Sequence, residues 1–285
     1  MSEYQYYEFQ AIDQPLTARQ MAAVRQYSSR AEITPRSFVN EYHWGNFRGD
    51  VRRFLRDYYD MFVYVANWGT HRAAFRLPLA YVDADALKAY AAPPVVKISA
   101  GGKFALVDVS SDVDDPDIEE FSTHWMASLA PLRAEVLSGD YRPLYLAWLG
   151  GVQADEVPES KREPPVPPGL ADLTSAQDAL ADFLRVDRSM ISAAAEASPA
   201  LESEHEAILS WIEPLSPETK NALLARMLEG DSSVCMELRS RFKSSRRSAR
   251  NPGRNSRRTV GSLLKLAEQV RTSRARPRGP TPAKS

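Results

Sequence analysis

The sequence predicts an α+β fold: a mixed or antiparallel sheet with packed helices, followed by a small all-α region and a disordered basic tail. Three observations predict it. Runs of alternating polarity, the mark of half-buried strands, open the chain at "YQYYEFQAI" and recur among helical patterns as far as Val109. After Ser111 apolar residues recur at three- and four-residue steps and strand alternation disappears. Charge is also partitioned. Arg239–Ser285 carries 15 Lys or Arg and one acid, Glu268, whereas Met1–Leu238 holds the remaining 21 basic and 36 acidic residues.

At 285 residues with 44% apolar content, the chain is long enough to bury a sizeable core. The composition divides it into an α+β domain over 1–153, a proline-rich linker or strap over 154–170, a helical region over 171–243, and a basic tail over 244–285 with a short helix at about 259–272.

The elements follow in order. In the first strand Gln5, Tyr7, Phe9 and Ala11 share one face and Tyr4, Tyr6, Glu8 and Gln10 the other. Thr17 is placed to cap a helix over "ARQMAAVRQYSS". Ile33–Trp44, rich in Phe, Val, Tyr and Thr, predicts a second strand, with Pro35 confining its early part to an edge or bulge. Asp50 predicts the start of a helix in which Val51, Phe54, Leu55, Tyr58, Phe62 and Val65 form one apolar stripe, ending at Gly69. "HRAAFRLPLAYV" predicts a third strand and "DADALKAYAA" a short capped helix before Pro93 and Pro94. "VVKISAGGKFALVDV" predicts a hairpin divided by Gly101 and Gly102. Three helices are expected next, over "DPDIEEFSTHWMASLA", "PLRAEVLSG" and "YRPLYLAWLGG". Beyond the strap, Thr174 and Ser216 cap two of several helices too short to stand alone, which must pack together or on the first domain.

Candidate catalytic residues are Glu41, His43 and His71. Glu41 and His43 share a strand face about 6.6 Å apart, and His71 opens a later strand. Three such groups, if convergent, hold a metal or share a proton. The simpler expectation is that the pairs Trp44-Gly45 and Trp68-Gly69 close a strand and a helix while their indoles fill the core. Other chemistry lacks its residues. Counted from Asp112, a calcium loop would need glycine where Asp117 stands and glutamate where Thr123 stands. The Gly102-Lys103 step lacks the upstream glycine and following Ser or Thr of a phosphate loop, and Leu106 and Val109 replace the aromatics of an RNA-binding strand. No serine-nucleophile elbow, paired-histidine zinc helix or dinucleotide fingerprint is present. The single cysteine, Cys235, forms no thiolate cluster and reads as a small buried hydrophobe. No metal or cofactor is therefore expected.

The tail carries the strongest signal. "RSRFKSSRRSARNPGRNSRR" is too polar to bury a core, and Arg246, Arg247, Arg250, Arg254, Arg257 and Arg258 suit phosphate oxygens or an acidic partner. Five or six phosphate contacts would give a log-affinity against log-salt slope of about -5. Val260, Leu263, Leu264, Ala267 and Val270 then form an apolar seam on a short basic helix, which calls for a partner helix or a copy of itself. No apolar run of about 18 residues and no signal peptide is present, so the reading is cytoplasmic, without membrane insertion.

The segments "YYEFQAIDQPLT", "SFVNEYHWGNFRGD", "YVANWGTHR", "YLAWLGGVQADE" and "EPPVPPGL" together resemble a family of uncharacterised bacterial proteins over about Met1–Leu184, and more loosely at "RRTV". The resemblance implies no established activity. Longer relatives continue after "RRTV" into a coiled coil rich in Arg, Ala and Glu, where this chain passes into "RPRGPTPAKS". The function expected from the residues is a non-catalytic, intracellular interaction or scaffold protein using the basic arm and amphipathic helix. The alternatives are a nucleic-acid-associated protein and an enzyme built around Glu41 and His43.

Overall fold

The first strand shows why the sheet forms around it. β1 (Gln5–Gln10) is flanked on both sides, so it buries residues on both faces and pairs at Gln5 with Tyr42 on one neighbour and Ala66 on the other. The computed structural model describes residues 3–112, 125–201, 204–231, 234, 237–238, 241–242, 245 and 258–275. β1 joins β2 (Glu32–Ile33), β3 (Ser37–Tyr42), β4 (Met61–Ala66), β5 (Thr70–Pro78), β6 (Val96–Gly101) and β7 (Phe104–Asp112) in a seven-stranded antiparallel sheet of order β2-β3-β1-β4-β5-β7-β6.

Helices cover the two faces unequally. On one face, α1 (Ala18–Arg25), closed by a Thr17–Gln20 capping box, and α2 (Val51–Asp57), capped by Asp50, enclose an aromatic core. There the Phe9 ring lies 4.5 Å from Phe62 and 5.0 Å from Phe54, centroid to centroid. The other face carries the larger core, built from Met61, Val63 and Val65 of β4, Ala73, Phe75 and Leu77 of β5, and Ala105, Val107 and Val109 of β7. α3 (Ala84–Lys88), α4 (Trp125–Leu137), α5 (Arg142–Gln153), α6 (Ser175–Phe183) and α7 (Arg188–Ala195) add Leu87, Leu129, Trp148, Leu180 and Met190 to that core. One apolar core thus runs across residue 153, the boundary expected from composition. The second half of the strap, Glu163–Pro167, is buried, with Tyr90 donating its hydroxyl to the Pro165 carbonyl at 2.9 Å.

Two expectations are corrected. The helix expected from Asp50 to Gly69 stops at Asp57, and Met61–Ala66 is strand. The run "MFVYVA" is β-branched and aromatic, and as a central strand it is apolar on both faces, so three-residue and two-residue periods coincide there. Pro131 lies inside α4 instead of opening a new helix. Burial of Leu129, Leu132 and Val136 on the sheet outweighs the hydrogen bond that proline removes. The helix expected over 116–124 and the acidic residues around Asp117 lie outside the described residues.

A buried ionic tie links the β1–α1 loop, β4, β5 and α4. The Asp60 side chain is 1% exposed. It accepts from the backbone N–H of Ile12 at 2.7 Å and Asp13 at 2.9 Å, from Arg76 at 2.6 Å, and from Arg133 at 3.5 Å. Arg133 also makes a two-pronged pair with Asp13, at 2.9 and 2.7 Å. Burial raises the Asp60 carboxyl, but the Asp13 N–H, Arg76 and Arg133 together hold it below the usual carboxylate range.

Candidate functional site

Strand register decides whether Glu41, His43 and His71 can act together. Glu41 pairs with Tyr6, Tyr6 with Val65, and Val65 with His71, so Glu41 and His71 stand on one row and one face. They are three strand spacings apart, about 14 Å. That is too far for a shared ion, and among the described residues no His, Cys, Asp and Glu group is arranged to hold a metal. His43 is exposed, with its ring 5.3 Å from that of Tyr4. Glu41 is exposed as well. Partial burial, followed by the Glu41 charge and hydrogen bond, pushes the Tyr4 hydroxyl up to about 12.

His71 has a structural role. Its Nδ1–H donates to the Phe183 carbonyl at 2.7 Å, and its ring stacks on that of Phe183 with centroids 4.8 Å apart. Burial pushes its pKa down; the Phe183 hydrogen bond opposes this and nearby Arg185 adds to it. The folded protein thus binds the His71 proton less well than the unfolded chain does, near pH 6.5. The His71 contribution to stability is complete above that value and is lost as pH falls through it. Urea midpoints should fall on acidification below about pH 6.5, and His71→Phe, which keeps the ring stack, should flatten that limb.

The C-terminal helix turns inward. In α10 (Val260–Ala275), Val260, Leu263 and Ala267 are at most 2% exposed, and Leu264 and Val270 pack against the same core. The helix lies along α7, so the seam found in the sequence meets a partner helix of its own chain. At its start Arg258 is locked in place. Its Nε and Nη2 donate to the two Glu163 carboxylate oxygens at 2.8 and 2.6 Å, and Nη1 donates to the Ala193 carbonyl at 2.9 Å. Glu163 is fully buried in the strap and also accepts from the Tyr145 hydroxyl. Burial and the Glu163 charge push Tyr145 well above the usual phenol range. Backbone bonds complete the latch: Glu163 N–H to the Arg258 carbonyl at 3.1 Å, and Val260 N–H to the Lys161 carbonyl at 3.0 Å. At the far end Arg271 pairs with Asp187. Arg258 is therefore not free to reach phosphate. Arg246, Arg247, Arg250, Arg254 and Arg257, and the expected disorder around them, lie outside the described residues.

Of the expected tail, 244–285, the helix α10 is seated in the core. Between α7 and α10, both seated in the core, the chain makes an excursion whose described residues belong to neither main core. Within this excursion lie α8 (Glu204–Ile212) and α9 (Pro217–Leu228), the latter capped by Ser216. Ala207 and Val234 are buried but belong to neither main core, and Trp211 meets Phe242 edge-on at 5.7 Å. Leu209, Ile212, Leu224, Met227 and Leu228 face solvent, and Leu228 is 90% exposed.

Sequence reasoning missed Glu163, Tyr145 and this exposed stripe. The one available signal was Glu163 itself, an acid placed next to the apolar run of the strap, where a buried carboxylate demands a cation. The indoles of Trp44 and Trp68 are also corrected: both Trp-Gly pairs sit in turns, but the side chains are 67% and 40% exposed and do not fill the core. No helix of the described residues is long and apolar enough to cross a membrane. No family model, no curated protein and no solved structure matches this chain.

Proposed function

We propose that the protein acts inside the cell as a non-catalytic interaction protein. In this reading a rigid α+β body holds out α8, α9 and the arginine-rich stretch that follows. The observation that carries it is the exposed stripe Leu209, Ile212, Leu224, Met227 and Leu228 on helices outside both main cores. Exposed aliphatic residues three and four apart on short helices suit the apolar groove of another protein. The arginines beyond them favour a groove with an acidic rim. The seam of α10 is already filled by α7, so the reading rests on the exposed apolar residues of α8 and α9 in place of that seam.

The test is a photo-crosslinking residue at Leu228 in the native host. A discrete protein adduct, lost with Leu224→Glu, is expected. Leu224→Glu should change folding stability by no more than about 0.5 kcal/mol, because the side chain is exposed. No adduct at Leu228 would discard the reading.

A second reading, nucleic-acid binding, is favoured by the sequence of the excursion alone. With Arg258 held by Glu163, five arginines remain between Arg246 and Arg257. The salt slope on duplex DNA would then be at most about -4.5. Binding with that slope, unaffected by Leu224→Glu, would move the function to nucleic acid.

A further inference from the structure

Two exposed indoles stand at one end of the sheet, and the fold braces both. Trp44 follows β3 by two residues and Trp68 follows β4 by two residues. Gln5 of β1 pairs with the last residue of each strand, so the two turns flank the start of β1, about 10 Å apart. Gln5 is 1% exposed and donates through Nε2 to the Gly45 carbonyl and to Asn46 Oδ1, each at 2.9 Å. On the second turn, Tyr4 N–H donates to Asn67 Oδ1 at 2.9 Å and Arg185 donates to the Gly69 carbonyl at 2.7 Å. Gly45 at φ 76° and Gly69 at φ 99° reverse the chain directly after each indole, in a conformation that only glycine adopts without strain. A turn fixed this firmly with its tryptophan in water has the form of a preorganised contact surface. Tyr4, His43 and the exposed carboxylate of Glu41 lie beside it, and the Arg30 guanidinium already rests 5.2 Å from the Trp44 ring centroid. The surface therefore suits cations and flat or ridged apolar groups.

The chain itself supplies such a group close by. Beyond α10 the sequence reads "RPRGPTPAKS", with Pro277, Pro280 and Pro282, three cations and no acid. This composition favours polyproline II, whose ridges dock on exposed aromatic rings. Those residues lie outside the described structure, but the point they leave from is placed. Arg271, in the last turns of α10, pairs with Asp187, which is two residues from the Arg185 that holds the turn of Trp68. Ten residues of polyproline II reach about 31 Å, roughly three times the spacing of the two turns. We propose that residues 276–285 dock in cis on the Trp44 and Trp68 surface, with the prolines on the indoles and Arg276 and Arg278 directed to Glu41 and the ring faces.

The test uses the full chain labelled with fluorotryptophan and read by fluorine NMR, with the two resonances assigned by Trp44→Phe and Trp68→Phe. Deleting residues 276–285 should shift both resonances and leave that of Trp148 in place. Synthetic RPRGPTPAKS peptide should return them, half-saturating at about millimolar concentration, since a short tether supplies an effective concentration of that order. Arg276→Glu with Arg278→Glu in the intact chain should shift the same two resonances. If neither variant moves them, the proposal is overturned. If the intact chain's resonances move on dilution, a second copy supplies the segment and docking in cis is overturned.

Discussion

Arg258→Ala should destabilise the protein by about 3–5 kcal/mol, the usual cost of leaving one member of a buried ion pair alone. Glu163 is fully buried, so without the guanidinium its carboxylate loses both charge-assisted bonds while keeping the Tyr145 hydroxyl. The loss should be local first. Val260 and Leu263 are fully buried and contribute roughly 1.5–3 kcal/mol each. The anchor is thus of the same size as the seam, and removing it should let α10 open well below global unfolding. Hydrogen exchange should show faster amides over Val260–Ala275 while β5 keeps its protection. The double variant Arg258→Met with Glu163→Met should regain much of the stability, because apolar replacement removes both desolvated charges together. An Arg258→Ala protein with unchanged exchange in α10 would show that the seam alone holds the helix.

Asp60→Asn should cost a comparable amount, about 3–5 kcal/mol, through a different part of the molecule. Asparagine keeps the shape but presents an amide where Asp60 now accepts from two backbone N–H groups, and it leaves Arg76 without its carboxylate. Arg133 keeps Asp13, so the damage centres on the junction of β4, β5 and the β1–α1 loop. The pH dependence has a definite sign. The folded Asp60 pKa lies below the unfolded value of about 3.9, so its contribution is complete above that value and is lost as pH falls through the folded pKa. Urea titrations should show a steep fall in wild-type stability in strong acid and a shallower one for Asp60→Asn. Equal slopes would mean that Asp60 does not carry the acid limb.

Local signals were readable where one period acted alone. Thr17, Thr174 and Ser216 cap the helices expected of them, and the Gly101-Gly102 hairpin forms as β6 and β7. Reading failed at Met61–Ala66 because a strand buried on both faces has no polar alternation to display. The candidate site failed for another reason. Glu41 and His71 do share a face, as period-two reasoning requires, but strand order places β1 and β4 between them, and no local pattern records strand order.

The sequence by itself determined the α+β class, the helix caps, the proline-rich strap and the division of charge, since each follows from side chains acting on their own backbone or on near neighbours. Tertiary structure alone decided what the C-terminal region does with that charge. An apolar seam and an arginine look the same in sequence whether they face a partner or the chain's own body. Only the placement of Glu163 beside Tyr145, brought there by the fold of the strap, draws Arg258 inward. A buried carboxylate must find a cation, and the fold supplied the one from the tail.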